Sequence, residues 1–275
     1  MMADTQTTER AQLAVRVTPP WLLGRAVRLV ERSVMVYRRV PIVFLSALIE
    51  PILYLFALGV GLGALVGEVE GPDGGLISYG AFVAPALLAA SAMNGAVYES
   101  TFNLFSKLHF QKLYDAMLAT PLTPRDIAVG ELTWALLRGS IYSAAFLGIA
   151  AVAGLATSWW SLLAIPAATL IGFTFAGISM TATTFMKSWQ DFDLVQLLLM
   201  PLFLFSATFF PLDVYPAAVQ NLVVISPLYH GVELTRGLML GALSWWLVVH
   251  AVVLFVLGWV GIRIATHRIG SLLVR

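Results

Sequence analysis

The chain has 275 residues, of which 59% are hydrophobic and only 11% are charged, with a formal net charge of +1. Soluble domains carry about 25% charged residues, so this composition excludes an ordinary soluble protein and indicates an all-α integral membrane protein. The lack of cysteine excludes disulfides and thiol chemistry. Its histidines (His109, His230, His250 and His267) are scattered, so no metal site is predicted.

Two segments precede the membrane domain. The polar residues 1–18 predict a disordered cytoplasmic tail without a secretory signal. Residues 19–39 predict an amphipathic helix that lies on the cytoplasmic membrane surface, because an apolar stripe opposes a basic face. The stripe consists of Leu22, Leu23, Ala26, Leu29, Val30 and Ser33, and the basic face consists of Arg25, Arg28, Arg32, Arg38 and Arg39.

Residues 40–275 predict a six-span membrane domain. Each apolar stretch approaches the roughly 20 residues that cross the hydrocarbon, and the spans cover about 41–65, 76–100, 127–155, 159–186, 194–210 and 245–265. With the N-terminus inside, 14 of the 16 Lys and Arg residues are cytoplasmic, Arg236 is external and Arg138 is within a span. Basic residues favour the cytoplasmic side, so both termini are predicted there. This topological role leaves no reason to expect a nucleic-acid partner.

The cytoplasmic loop 105–126 joins spans two and three. Its first half, residues 104–119, predicts a helix with an apolar face of Leu104, Phe105, Leu108 and residues 114–118. Thr120 and Pro121 end that helix, and Thr123 with Pro124 begins the next as its cap and first position. The loop could lie on the lipid surface or serve as a docking element for another protein.

The external segment 209–243 is too apolar for a free loop and too rich in proline for a span, so short re-entrant helices are predicted there. On it, His230, Glu233 and Arg236 share a helical face. They could form an outer gate, meet a polar headgroup, or cap the membrane surface in contact with water. A lipid-modifying enzyme with His230 as its base is a further possibility.

Four charges fall in or near the spans. Glu50 could contact substrate or be a paired structural acid, and a carrier driven by an ion gradient would need such a titrating carboxylate. Arg138 lies two turns from Glu131 on span three and requires Glu131, Glu99 or Glu50 as a partner. A set of glycines is interpreted as allowing close helix packing and not as a phosphate site. These glycines are Gly59, Gly61, Gly63, Gly172 and Gly177.

Five stretches, in this order, carry a family resemblance. They are ALIEPILYLFALGVGLG (47–63), YGAFVAPALLAASAMNGAVYES (79–100), FQKLYDAMLATPLTPRDIAVGELTWALLRG (110–139), MPLFLFSATFFPLDVYP (200–216) and SPLYHGVELTRGLMLG (226–241). The sequence resembles permease subunits of ABC-2 type exporters, within the nodulation-factor exporter and daunorubicin-resistance permease group.

The resemblance implies the six-span type V exporter fold in a bacterial inner membrane. It implies a dimer of identical or related permeases, with spans one and five at the interface, and two separate ATP-binding subunits. No cofactor is expected in this chain, and ATP and Mg would belong to the partner. The loop would act as a coupling helix through Gln111, Lys112, Tyr114, Asp115, Leu118, Thr120, Pro121 and Leu122.

The same resemblance implies export of a lipid, a glycolipid or a drug-like molecule, with membrane lipids as surroundings. The candidate path residues are apolar and aromatic, which fits an amphipathic cargo. They are Met200, Phe203, Phe209 and Phe210. The chain contains no phosphate-binding Gly-Lys-Ser/Thr loop, so it is not expected to be an enzyme.

Overall fold

A computed structural model describes residues 24–39, 41–111 and 113–273, and these are mostly helical. The surface helix is α1 (Val27–Arg38). The long helices are α2 (Pro41–Phe56, continued to Val66), α3 (Tyr79–Tyr98, continued to Phe110), α5 (Pro124–Val152), α6 (Ala164–Thr183) and α10 (Trp246–Leu273). The shorter ones are α4 (Leu113–Leu118), α7 (Asp191–Leu204), α8 (Ala217–Ile225) and α9 (Pro227–Leu240).

Five helices among the described residues are long and apolar enough to cross a membrane. They correspond to the predicted spans one, two, three, four and six. The predicted fifth span, 194–210, overlaps α7, which has 14 residues and is therefore about 21 Å long. That is shorter than the roughly 30 Å hydrocarbon core, so the count of six crossings stays a prediction, as does re-entry by α8 and α9.

Two boundaries differ from the sequence prediction. The second span begins at Tyr79, because the residues before it form a hairpin in which β1 (Glu68–Glu70) pairs antiparallel with β2 (Leu76–Ser78). The separate helix predicted over 104–119 is wrong. Its first half extends α3 through two π-helical turns to Phe110, and a short second helix, α4, begins at Leu113.

The core surrounds α3, whose residues Val83, Leu88 and Met93 are fully buried. This helix packs against α5, α6 and α9. Its face is rich in alanine, and small side chains let helix backbones approach closely where lipid provides no hydrophobic force between helices. The core therefore depends on close contact between α3 and its neighbours.

Helix α1 packs against α5 and buries part of its apolar stripe there, whereas the sequence predicts that this stripe faces the membrane surface. Ala26, Leu29 and Ser33 are buried. A Cβ atom at Gly130 of α5 would lie 2.8 Å from the Leu29 Cβ and 3.1 Å from the Ala26 carbonyl oxygen, so only glycine fits there. The predicted tail 1–18 and the first residues of the 19–39 helix lie outside the described residues.

The crossing of α6 and α10 is the tightest helix contact with glycine on both sides. A Cβ atom at Gly177 would lie 2.5 Å from the Gly258 carbonyl oxygen, and one at Gly261 would lie 2.6 Å from the Gly177 carbonyl carbon. The hydroxyls of Thr174 and Thr181 donate to α10 carbonyls at 2.8 Å. The predicted packing role of Gly177 is confirmed, whereas a Cβ atom at Gly172 meets only ordinary contacts at 3.6 Å.

We expect Gly177→Ala to lower the free energy of unfolding by about 1–3 kcal/mol, because backbone atoms of α10 must move to admit the methyl group. Gly148→Ala is the matched control, since nothing lies within 4 Å of a Cβ atom there. The control should be neutral or stabilising by up to about 1 kcal/mol, as glycine weakens a helix interior. Thermal unfolding in detergent measures both, and equal shifts would contradict the proposed close contact.

Candidate functional site

Four charged side chains, three of them buried and one partly buried, meet where α3 and α5 lie side by side. We call Glu99, Lys107, Glu131 and Arg138 the charge cluster. Arg138 Nη1 lies 2.7 Å from Glu99 Oε2, and Lys107 Nζ lies 2.6 Å from Glu131 Oε2. Lys107 Nζ is also 3.9 Å from Glu99 Oε1. The cluster therefore balances two acids against two bases in a region that excludes water.

The geometry selects among the three partners predicted for Arg138. Glu99 is the partner, while Glu131 pairs with Lys107 and Glu50 is exposed with no ion pair among the described residues. The role of Lys107 is not predicted from the sequence, although a signal exists. On α3, Glu99 is followed about two turns later by Lys107, and on α5, Glu131 is followed about two turns later by Arg138. When two such helices lie antiparallel, the acid of each helix faces the base of the other.

Helix α1 reaches the charge cluster through one hydroxyl. Arg138 Nη1 donates to Tyr37 Oη at 2.6 Å, and the Tyr37 ring lies 5.2 Å from that of Trp134. Burial raises the pKa of Tyr37. Asn103 Nδ2 completes the surroundings of Glu99 with a 2.8 Å bond to Oε2. The surface helix and the third span are thus joined by a polar contact that the sequence analysis does not anticipate.

The loop helix α4 is attached to the same cluster by Tyr114. Its side chain is 1% exposed, and its hydroxyl donates to Glu131 Oε1 at 3.0 Å. Burial, and then the nearby Glu131 carboxylate, raise the pKa of Tyr114 well above its ordinary value. The hydroxyl therefore keeps its proton and remains a donor at neutral pH.

The apolar face of the loop packs against protein. Tyr114 and Leu104 form a buried cluster with Leu29 of α1 and Ile127 of α5, and Leu118 and Leu122 pack at its edge. Of the two interpretations of this loop, a docking element is favoured over a helix resting on lipid, because the apolar face of α4 is covered by other helices of the protein. The opposite side of the loop is exposed and is therefore the side that a partner could contact.

The predicted coupling residues divide between these two sides. Gln111, Thr120 and Pro121 are exposed, and Tyr114 is buried. Lys112 and the side chain of Asp115 lie outside what the structure describes. Arg25 Nη1 donates to the Pro121 carbonyl and holds the elbow against the N-terminal segment.

The beginning of α5 is confirmed as predicted. Thr123 Oγ1 accepts from the Asp126 backbone N–H at 3.2 Å, Asp126 Oδ2 accepts from the Thr123 N–H at 2.9 Å, and Pro124 is the first helical residue. Such a reciprocal cap fixes the helix start.

The predicted external residues lie on α9. Arg236 is 3% exposed and contacts Glu233 Oε1 at 2.6 Å, the Ala207 carbonyl at 2.7 Å and the Phe82 ring at 4.0 Å. The histidines expected to be scattered include one pair, since His230 Nδ1 lies 2.7 Å from His250 Nδ1. No group of three or more possible metal ligands occurs among the described residues.

The predicted path residues lie on or just after α7. The rings of Phe203 and Phe209 are 5.1 Å apart, and Phe203 is 6.1 Å from Tyr54 of α2. Met200 and Phe210 are exposed by 68% and 54%. The Tyr54–Phe203 contact brings α7 close to α2 at one point.

Removing one partner of the Glu99–Arg138 pair should destabilise the protein by about 3–5 kcal/mol, because a buried charge is left without compensation. We expect this for Arg138→Met and for Glu99→Gln. The double variant should lose less than the sum of the two, since the remaining Lys107–Glu131 pair is neutral overall. Glu31→Gln, in an exposed pair, is the control and should change stability by about 1 kcal/mol or less. Additive effects of the two buried changes would contradict direct pairing.

Comparison with known proteins supports the architecture. A family model described as ABC-2 type transporter matches residues 26–240. Nodulation protein J of Rhizobium leguminosarum bv. viciae is 38% identical over 199 residues, which cover 72% of this chain and 74% of that protein.

Nodulation protein J of Rhizobium meliloti (strain 1021) is 35% identical over 215 residues, which cover 77% of this chain and 80% of that protein. The probable multidrug ABC transporter permease YbhR of Escherichia coli (strain K12) is 26% identical over 170 residues, covering 60% of this chain and 45% of that protein. Together with the helical membrane architecture, these matches show that the chain belongs to the ABC-2 type transporter family, as a multi-pass permease subunit that leaves ATP hydrolysis to a separate subunit.

Proposed function

We propose that this permease exports an amphipathic molecule across the bacterial cytoplasmic membrane, with both termini in the cytoplasm. Two permease copies would bind two ATP-binding subunits, which would hold the ATP and Mg. The apolar and aromatic candidate path favours a lipid, a glycolipid or a drug-like cargo. A relative whose name is that of a probable multidrug permease supports the same class of cargo.

The observation that carries the proposal is the two-sided construction of α4. Its inner side is held by the Tyr114–Glu131 hydrogen bond and by the buried apolar cluster. Its outer side presents the exposed small residues Ala116 and Ala119, followed by Thr120 and Pro121. A short helix whose inner side is fixed and whose described exposed residues are small suits insertion into a cleft of the ATP-binding subunit.

The contacts also suggest how force would pass into the membrane. Movement of α4 would act on Glu131 through Tyr114, and Glu131 is bound to Lys107 at the cytoplasmic end of α3. The second pair, Arg138 with Glu99, would make α3 and α5 move together. Closure of the two ATP-binding subunits would thereby displace spans two and three as one rigid body.

A face formed by α2 and α7 is proposed as the dimer interface and cargo path. Both helices expose large apolar side chains, namely Ile49, Leu53, Phe56 and Val60 on α2, and Leu194, Leu197, Leu198, Met200 and Leu204 on α7. Glu50 is exposed within the same part of α2. A carboxylate against hydrocarbon is costly, so its position favours a face that meets a second copy or a hydrated path.

The external end would close through Arg236. This buried cation binds the carbonyl of Ala207, which follows α7, and that of Phe82 on α3. It therefore joins the proposed path helix to the core of the bundle. Glu233, which is partly exposed, would keep Arg236 compensated when the external end opens.

The docking role is tested with Ala116→Arg. Alanine and arginine have similar helix propensity, so α4 should remain folded while its exposed side gains bulk and charge. We expect recovery of the ATP-binding subunit with the tagged permease to fall by about tenfold, which corresponds to about 1.4 kcal/mol.

His267→Arg is the matched control, because it adds a similar side chain at an exposed position of α10, and it should leave recovery unchanged. If Ala116→Arg retains the ATP-binding subunit and supports ATP-dependent transport, the docking proposal is wrong. If the purified permease transports cargo without ATP, a carrier driven by an ion gradient replaces it, with Glu50 as the residue to test.

The transmission role is tested separately with Tyr114→Phe. This change removes one hydroxyl and leaves a Glu131 oxygen short of a donor, at a cost of about 1–3 kcal/mol. We expect the ATP-binding subunit to remain bound and ATP to be hydrolysed, while transport per ATP falls. Tyr215→Phe, which removes a longer 3.3 Å bond on the external side, is the control. Unchanged transport per ATP in Tyr114→Phe would contradict the transmission path.

A further inference from the structure

A basic pocket opens beside the C-terminal ends of α6 and α10. Its volume is about 470 Å³, and the basic side chains that line it come from three separate parts of the chain. His109 belongs to the extension of α3, Lys187 to the link between α6 and α7, and Arg268 to α10. No carboxylate is among the described residues that line it. His109 lies within the 105–126 loop but is not one of the predicted coupling residues, and the proposed cargo path includes none of the three.

Arg268 is held in a fixed orientation within the basic pocket. Its Nε donates to Thr184 Oγ1 at 2.8 Å, its Nη2 donates to the Thr184 carbonyl at 3.3 Å, and its guanidinium lies 3.6 Å from the centre of the Phe185 ring. Thr184 Oγ1 in turn donates to the Thr181 carbonyl at 2.7 Å. These bonds use one edge of the guanidinium, and Nη1 has no hydrogen-bond partner among the described residues.

Asp191 lies four residues after Lys187, and its carboxylate is engaged by backbone donors. Asp191 Oδ2 accepts the backbone N–H groups of Lys187 and Ser188 at 2.7 and 3.1 Å, and these bonds lower the pKa of Asp191. The Lys187 side chain is exposed and forms no ion pair within 4 Å in the described part of the chain. An anionic ligand would therefore meet the ammonium of Lys187 and the free edge of Arg268 together.

Apolar side chains flank these cations. Phe185 is 60% exposed and Leu272 is 38% exposed, both at the helix ends that the predicted topology assigns to the cytoplasmic surface. Acyl chains could lie against such side chains while a headgroup occupies the basic pocket. Basic pockets between membrane helices on the cytoplasmic side suit anionic headgroups, and arginine binds phosphate oxygens through paired donors.

We propose that the basic pocket binds the phosphate of an anionic phospholipid from the cytoplasmic leaflet. One oxygen would accept from Arg268 Nη1 and another from Lys187 Nζ, with His109 at the edge. Because the ligand would bridge the end of α10 to the link before α7, bound lipid would tie the last span to a helix of the proposed cargo path. The inference is independent of which cargo the permease carries.

Native mass spectrometry of the full-length permease with its ATP-binding subunit tests the proposal. Phosphatidylglycerol and phosphatidylcholine of equal chain length are the probes, and we expect one phosphatidylglycerol per chain to bind about tenfold more tightly. Lys187→Gln combined with Ser271→Asp should abolish that preference by removing one cation and adding an acid at an exposed lining position. These two changes avoid the Thr184 contacts of Arg268, so the α6 end should remain folded.

Arg263→Gln is the matched control, since this arginine stacks on Trp259 and does not line the basic pocket, and it should keep the preference. Competition with inorganic phosphate identifies the source of the anion. Displacement of the lipid assigns a phosphate site open to soluble anions, and retention assigns a headgroup site that also requires the acyl chains. Equal binding of the two lipids overturns the proposal. The proposal is also overturned if the Lys187→Gln, Ser271→Asp variant loses the ATP-binding subunit but keeps the lipid preference. That result would assign the surface to the protein partner.

Discussion

The structure depends most on the antiparallel pairing of Glu99 with Arg138 and of Lys107 with Glu131. Charged groups buried near a membrane are costly unless they are paired, and here each partner comes from a different helix. The pairs therefore specify how far α3 can slide along α5, because a shift of one turn would separate both. Tyr37 and Tyr114 bind to the same cluster, so the surface helix and the loop helix are positioned by it as well.

Around the charge cluster, the helices pack closely at glycines, which have no side chain. Gly130 admits α1 to within contact of the α5 backbone, and Gly177 with Gly258 and Gly261 brings α6 against α10. Lipid chains are as apolar as leucine, so helix association in a membrane depends on such close fit and on hydrogen bonds between helices. The ion pairs therefore determine the register between α3 and α5, and the glycines determine how closely the helix axes approach.

The end of the bundle that is predicted to be cytoplasmic combines a rigid inner layer with exposed surfaces of different chemistry. The described exposed residues beside α4 are small, whereas the basic pocket offers Lys187 and Arg268 beside the exposed side chains of Phe185 and Leu272. A protein cleft suits the first surface and an anionic headgroup suits the second. The extension of α3 contributes to both surfaces, because Lys107 binds Glu131, the acceptor for Tyr114 of α4, and His109 lines the basic pocket. Events at either surface could therefore reach the same helix.

Local features of the sequence predict the membrane class, the positions of five long apolar helices, the amphipathic character of α1 and the cap at Thr123. Each of these depends on local composition, helical spacing or a short capping motif, which are properties of contiguous residues. Tertiary packing pairs Lys107 with Glu131, places His230 against His250 and divides the predicted 104–119 helix near Gln111. Those outcomes depend on which helices are neighbours and at what depth, and a single sequence records neither, because residues tens of positions apart are brought together by packing alone.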